Sequence, residues 1–184
     1  MNKYLTPSSY IDYQEPDVQA KASLLANGLA SKLEIASACF EFVRDETRHS
    51  WDHQSNPVTC KASDVLKHGT GYCYAKSHLL AALLRANEIP AGLCYQRLTI
   101  ENDRPSFSLD GLNAVWLEEY GWYRIDARGN NEEVDAQFMP PTEKLAFPIV
   151  TEGEGDLAEI WAEPIACVVD TLERDTSFPE VAAN

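Results

Sequence analysis

The chain of 184 residues is long enough for one ordinary domain, and its 45% apolar and 24% charged residues exclude fibrous and disordered classes. The 15 basic and 29 acidic residues give a net charge of −14, so nucleic acid and anionic membrane surfaces are not expected as partners. The sequence contains neither a run of about 20 apolar residues nor the apolar core of a signal peptide, which predicts a cytoplasmic protein.

Four helices are predicted in the first half of the chain from hydrophobic periodicity and turn residues. They cover about residues 17–29, 32–49, 64–68 and 73–86. The second is expected to open with a capping box formed by Ser31 and Glu34. The third is expected to be capped by Ser63 and ended by Gly69.

Strands dominate the prediction for the second half. They are expected at residues 91–100, 112–118 and 121–127, with a turn at 102–105 and a further short strand near 147–151. Helices followed by an antiparallel sheet predict an α+β fold, with the helical part packed on the sheet. We expect a single domain over residues 1–184, with its core at about 15–150 and the segment 151–184 wrapping that core.

The five cysteines are widely and irregularly spaced, and none forms a Cys-x-x-Cys pair. The spacing therefore predicts no disulfide framework, no metal site and no bound metal. Cys39 falls on the apolar face of a predicted helix and Cys94 falls inside a predicted strand, so both are expected in the core.

Cys73 has a different context, because it follows the tight turn at Gly71 and begins the longest predicted helix. Unpaired backbone N–H groups and the positive end of the helix dipole favour a thiolate at such a position and lower the thiol pKa. The same N–H groups can stabilise an oxyanion when the sulfur attacks a carbonyl. The sequence therefore favours a nucleophile at Cys73 over a merely small buried residue.

Residues 63–96 resemble the nucleophile segment of the transglutaminase-like superfamily of bacterial proteins: a glycine-rich turn, a cysteine, a helix rich in Leu and Ala, and an Ile-Pro-Ala strand start. Residues 110–130 resemble the paired strands that carry the histidine and aspartate of the family, and residues 44–52 resemble the helix end upstream of the cysteine. The resemblance covers roughly residues 15–150. It implies a papain-like α+β fold and a Cys-His-Asp triad for acyl transfer through a thioester, as in amide cross-linking, deamidation or peptide hydrolysis, with no cofactor.

By this resemblance Cys73 corresponds to the nucleophile and Asp126 to the aspartate that orients the histidine. The position of the histidine itself is occupied by Asp110, and every histidine of the chain precedes the predicted sheet. His49 and His53, in a loop upstream of Cys73, are the candidates to take its place.

A carboxylate at position 110 changes the expected chemistry. An ionised Asp110 would raise the pKa of Cys73, and Asp110 and Asp126, if close, would share a proton. Three interpretations stay open: a cysteine enzyme with impaired or altered acyl chemistry, a silent family member that binds a peptide or small amide, and an enzyme disabled by an introduced Asp110. We expect the first, with peptide or small amide as the substrate.

Three further residues are expected to line the substrate site. Tyr72 flanks the nucleophile, Gln96 lies on the strand after the nucleophile helix, and Asn113 lies close to the position of the missing histidine.

Overall fold

The structure is a computed structural model that describes residues 1–101 and 104–183, without the side chains of residues 100, 101, 104 and 105. The helices are α1 Pro16–Ala26, α2 Lys32–Glu46, α3 Ala62–His68, α4 Cys73–Ala86, α5 Ala166–Arg174 and α6 Phe178–Ala182, after a short 3-10 helix at Asn2–Tyr4. The strands are β1 Arg48–His49, β2 Thr70–Gly71, β3 Ala91–Glu101, β4 Arg104–Leu117, β5 Gly121–Ile125, β6 Gln137–Met139, β7 Thr142–Lys144 and β8 Gly155–Asp156. The α+β class is confirmed.

The capping box of α2 forms as predicted, with the Ser31 hydroxyl accepting a hydrogen bond from the Glu34 backbone N–H at 3.2 Å. The predicted cap of α3 is wrong. The helix begins at Ala62, so Ser63 lies inside its first turn, where its hydroxyl and its N–H both donate to the Asp12 carboxylate. Gly69 ends this helix in the left-handed conformation, at φ +63°, as its sequence position predicts.

The main sheet is antiparallel and has the strand order β5-β4-β3-β8. Strand β4 begins at Arg104, eight residues earlier than predicted, and therefore places Asp110 inside the sheet. Of the predicted turn at 102–105, residues 102 and 103 lie outside the described residues and the other two belong to β4.

The prediction of a strand near residues 147–151 is wrong, because this segment forms no strand. The carboxylate of Glu154 accepts hydrogen bonds from the backbone N–H groups of Val150 and Thr151, which folds this segment into a turn. Short strands form instead on either side of it, as β6, β7 and β8.

Helix α4 is the centre of the molecule, since it packs against α1, α2 and α3 as well as β3 and β4. Its four leucines, Leu79, Leu80, Leu83 and Leu84, are fully buried. Each contributes about 1.5–3 kcal/mol of burial free energy, so the helix that begins at Cys73 is held in a rigid position.

The C-terminal segment lies against this body. Strand β8 pairs with β3, and the backbone of Trp161 exchanges two hydrogen bonds with that of Leu93, at 2.8 and 2.9 Å. The buried Arg85 guanidinium of α4 donates to the carbonyl of Ala162 at 2.6 Å. Among the described residues, no helix is long and apolar enough to cross a membrane.

Candidate active site

Cys73 is the first residue of α4, and the parallel pairing of β1 with β2 fixes the turn before it. Gly71 packs so closely that an added Cβ would lie 3.1 Å from the Thr59 hydroxyl and 3.2 Å from the Ala75 Cβ. Tyr72 is the N-cap residue, and Cys73 itself is only 6% exposed. The sequence pattern of a sharp turn followed by a helix thus produces the expected placement of the thiol.

Strand β4 passes directly over the thiol. The backbone N–H of Gly111 donates to the Cys73 Sγ at 3.4 Å, and the Asp110 carboxyl lies near enough to the same thiol to act on its ionisation. An added Cβ at Gly111 would lie 2.8 Å from the Tyr74 ring, so only glycine permits this approach of strand and helix. The predicted pair of Cys73 and Asp110 is therefore brought together.

Asp126 follows the end of β5 and is 1% exposed. Its two carboxyl oxygens accept backbone hydrogen bonds from Arg128 at 3.0 Å and from Ala146 at 3.1 Å. It also interacts electrostatically with Asp110 and Cys73. The three residues predicted to carry the chemistry thus form one buried cluster.

Burial and the neighbouring carboxyl of Asp110 raise the pKa of the Cys73 thiol well above its ordinary value. The expectation of a thiolate favoured by the helix N-terminus is therefore wrong for the protein in this conformation. Desolvation and like charge outweigh the helix dipole, whose effect is modest and confined to the first turn.

The two carboxyl groups are unequal. Burial and the charge of Asp126 raise the pKa of Asp110 to about 8. Burial raises the pKa of Asp126 as well, but its two backbone donors and the cations Arg128 and Lys76 favour its ionised form. At neutral pH the two carboxyls therefore share one proton, as expected for two carboxyls that cannot both ionise at low cost, and the two backbone donors to Asp126 favour its place on Asp110.

Two cations beside this cluster were missed by the sequence reasoning. Lys76 is fully buried, and its ammonium donates to the Thr47 carbonyl. Burial lowers the pKa of Lys76 to about 7, although the negative charge of Asp126 acts to raise it. Arg128 forms two hydrogen bonds to the Asp52 carboxylate, at 2.8 and 2.9 Å. The available signal was Lys76, a charged residue one helical turn after Cys73 on the same predicted helix.

No histidine hydrogen-bonds to the thiol within the described part of the chain. The His49 ring is buried edge-on against Tyr72, 5.6 Å between ring centroids, and its Nδ1 lies 3.4 Å from the Asp52 carboxylate. Burial lowers the pKa of His49 to about 4, so its ring is neutral at pH 7. His53 is exposed, and the Nδ1 of His78 lies 2.7 Å from the Cys60 carbonyl.

The three residues predicted to contact substrate are engaged within the protein. The Tyr72 hydroxyl donates to the carbonyl of Phe178, and the Asn113 amide donates to the carbonyls of Ser77 and Gly92, at 2.9 and 3.3 Å. Gln96 lies directly opposite Asp110 in the sheet. Their roles toward a substrate stay predictions.

Comparison with known proteins gives the family. The profile of the transglutaminase-like superfamily matches residues 19–127. A candidate cysteine protease from Cytophaga hutchinsonii is 21% identical with a TM-score of 0.53, over 68% of this chain and 40% of that one. The ethylmercury-bound periplasmic domain of TgpA from Pseudomonas aeruginosa is 20% identical with a TM-score of 0.51, over 68% of this chain and 46% of that one. Comparison with curated proteins finds no match.

These solved structures show the fold alone. The chain spans less than half the length of either of them.

Proposed function

Because the chain belongs to the transglutaminase-like superfamily, we propose that it is a cysteine enzyme that transfers or hydrolyses the acyl group of an amide through a thioester on Cys73. Asp110 takes the place of the histidine as the proton acceptor, and Asp126 sets its ionisation. The observation that carries this proposal is that the buried Asp110 carboxyl, with its pKa raised to about 8, lies within interaction range of the buried Cys73 thiol. A base of that strength is matched to proton transfer near neutral pH.

The proposed reaction begins with ionised Asp110. As the Cys73 sulfur attacks the amide carbonyl, the thiol proton moves to the Asp110 carboxylate, and the backbone N–H groups at the start of α4 stabilise the oxyanion. The tetrahedral intermediate collapses with cleavage of the C–N bond, and neutral Asp110 donates its proton to the leaving amine. Water or a second amine then attacks the thioester and gives a proton to Asp110, which restores the thiol on release of the product.

The substrate class follows from this chemistry and from the family. A peptide or small amide supplies the acyl group, and no cofactor takes part in any of these steps. We also propose that the protein acts in the cytoplasm, without nucleic acid or membrane partners, which cell fractionation would check. The surface charge of −14 favours neutral or cationic substrates over anionic ones.

Trapping of the acyl-enzyme tests the proposal. Intact mass spectrometry of the protein incubated with a glutamine peptide or an activated acyl ester should show one added acyl group, at a rate that rises with pH around a midpoint of about 8. The adduct should be absent from Cys73→Ala and strongly reduced in Asp110→Asn. Cys94→Ala, which removes a buried thiol that packs with Leu112 and Ala114, is the matched control and should keep the adduct.

The second candidate is a silent family member that binds a peptide or small amide. The observation that favours it is the raised thiol pKa of Cys73, which leaves almost no thiolate at neutral pH. In that case no acyl-enzyme forms at pH 9 with wild-type protein, while calorimetric titration with the same glutamine peptide gives equal affinities for wild type and Cys73→Ala.

A further inference from the structure

Gln96 and Asp110 are directly opposite each other in the antiparallel pair of β3 and β4. Side chains in this relation project from the same face of a sheet, with their Cβ atoms about 4.5–5.5 Å apart. Both are almost fully buried, with Gln96 2% and Asp110 5% exposed. The two side chains are therefore buried neighbours on one face of the sheet.

Each of the two side chains has one oxygen without a hydrogen-bond partner, Oε1 of Gln96 and Oδ2 of Asp110. Buried acceptors are rarely left unpaired, because they lose their water and gain nothing in return. Two acceptors cannot satisfy each other, but a proton on the Asp110 carboxyl would supply the missing donor. The neutral form of Asp110 is thus the form that suits this pair.

The orientation of the Gln96 amide is fixed from its other side. Its Nε2 donates to the Asp156 Oδ1 at 2.8 Å, and Asp156 is held by an ion pair with Arg124 at 2.7 Å. A carboxylate can only accept, so the nitrogen of the amide must face Asp156 and the oxygen is left for Asp110. A chain of charged and polar groups therefore runs from the surface of the sheet to the thiol.

We propose that Gln96 is a positioning residue, whose Oε1 accepts the proton of neutral Asp110 and so fixes which carboxyl oxygen carries that proton. That proton is the one of the resting protein; the other oxygen of Asp110 is left to face the Cys73 thiol, where it accepts the thiol proton once Asp110 has ionised. Gln96 acts through Asp110 and needs no contact with substrate for this role. The inference rests on the proposed function of Asp110 as the proton acceptor.

This arrangement has a definite effect on titration. Gln96 stabilises the neutral carboxyl and opposes the ionised one, so its removal should favour ionisation of Asp110 and move the titration to lower pH. The other groups that act on Asp110 are Asp126, Arg128, Cys73 and, on the neighbouring turn of α4, Tyr74. None of these is altered by a substitution at position 96.

Infrared spectroscopy gives a test that does not depend on activity. The C=O band of the neutral Asp110 carboxyl, assigned by its loss in Asp110→Asn, is followed from pH 5 to pH 10 in wild type, Gln96→Met and Asp156→Ala. We expect the midpoint to fall by about one pH unit in Gln96→Met, with a shift of the band itself. Asp156→Ala should lower it too, because the freed amide can turn its nitrogen toward the carboxylate.

Arg97→Met is the matched control. Arg97 is the next residue of β3, projects from the opposite face, and anchors the carbonyl of Gly153 beside β8 at 2.7 Å. Its removal should leave the Asp110 midpoint unchanged.

A midpoint that stays at its wild-type value in folded Gln96→Met would overturn the inference. If that variant does not fold, an unchanged midpoint in Asp156→Ala overturns it instead. A shifted midpoint in a protein that forms no acyl-enzyme leaves the role of Gln96 intact and refutes only the proposed reaction.

Discussion

Replacement of Asp110 by histidine should make Cys73 a faster nucleophile. The carboxyl at this position lies near the thiol and holds its pKa high, whereas an imidazole can accept the thiol proton and remain beside the sulfur as a cation. Asp126, which already lies within electrostatic reach, could then hold the other ring nitrogen. The substitution therefore tests whether position 110 faces the sulfur in the way that the family pattern implies.

The size of the effect follows from the ionisation of Asp110. With a pKa of about 8, this carboxyl is about nine-tenths neutral at pH 7, so loss of its charge contributes little there. Most of the gain must come from the new cation. An opposite charge at contact distance changes such an equilibrium by about 10- to 1000-fold, and alkylation of Cys73 at pH 7 should accelerate within that range.

The assay is the rate of iodoacetamide labelling at Cys73, mapped by mass spectrometry between pH 6 and pH 10. Asp110→Asn is the matched control, because it removes the carboxylate and adds no base. We expect it to react at nearly the wild-type rate at pH 7 and more slowly than wild type above pH 8, where Asp110, the proposed proton acceptor, is ionised in wild type. A folded histidine variant in which Cys73 labels no faster than in the asparagine variant would refute the assignment of position 110.

Further predictions concern stability and the other thiols. Because the pKa of Asp110 is raised in the folded protein, the free energy of unfolding falls as pH rises from about 4 to about 8. Asp110→Asn should therefore be more stable than wild type by about 2–5 kcal/mol in urea unfolding at pH 8.5, and by much less at pH 4. Limited iodoacetamide at pH 7 should label exposed Cys167 before buried Cys73, and equal labelling would show that the site opens in solution. Gly111→Ala should cost about 1–3 kcal/mol, since its Cβ meets the Tyr74 ring. A chelator or a reductant should leave the melting temperature unchanged, and a loss of several degrees would reveal a missed structural site.

The local signals in the sequence were reliable where one short segment decides the structure. The Ser31 capping box, the Gly69 helix end and the α4 helix all depend on residues within one or two turns of each other, so their patterns predict them. Ser63 failed as a cap because a distant residue, Asp12, engages both its hydroxyl and its N–H.

That Cys73, Asp110 and Asp126 lie together was predictable from sequence order and from the family resemblance, and so was the direction in which Asp110 shifts the thiol pKa. The depth of burial, which contributes most to that shift, was not. Whether a thiol at a helix N-terminus ionises depends on how deeply strand β4 buries it and on the carboxyls that lie on β4 and just after β5. These contacts join residues more than 30 positions apart in the sequence, so no local pattern predicts them.

The sequence by itself determined the α+β order of elements and a nucleophile-like cysteine at the start of a rigid helix, because helix and strand periodicity are local properties of the chain. Only the tertiary structure decided how deeply the thiol and the two carboxyls are buried, that backbone donors favour the ionised form of Asp126, and that Gln96 lies opposite Asp110. Ionisation in a buried site is set by desolvation and by charges within a few ångströms. Those distances exist only once the helices and the sheet have packed together.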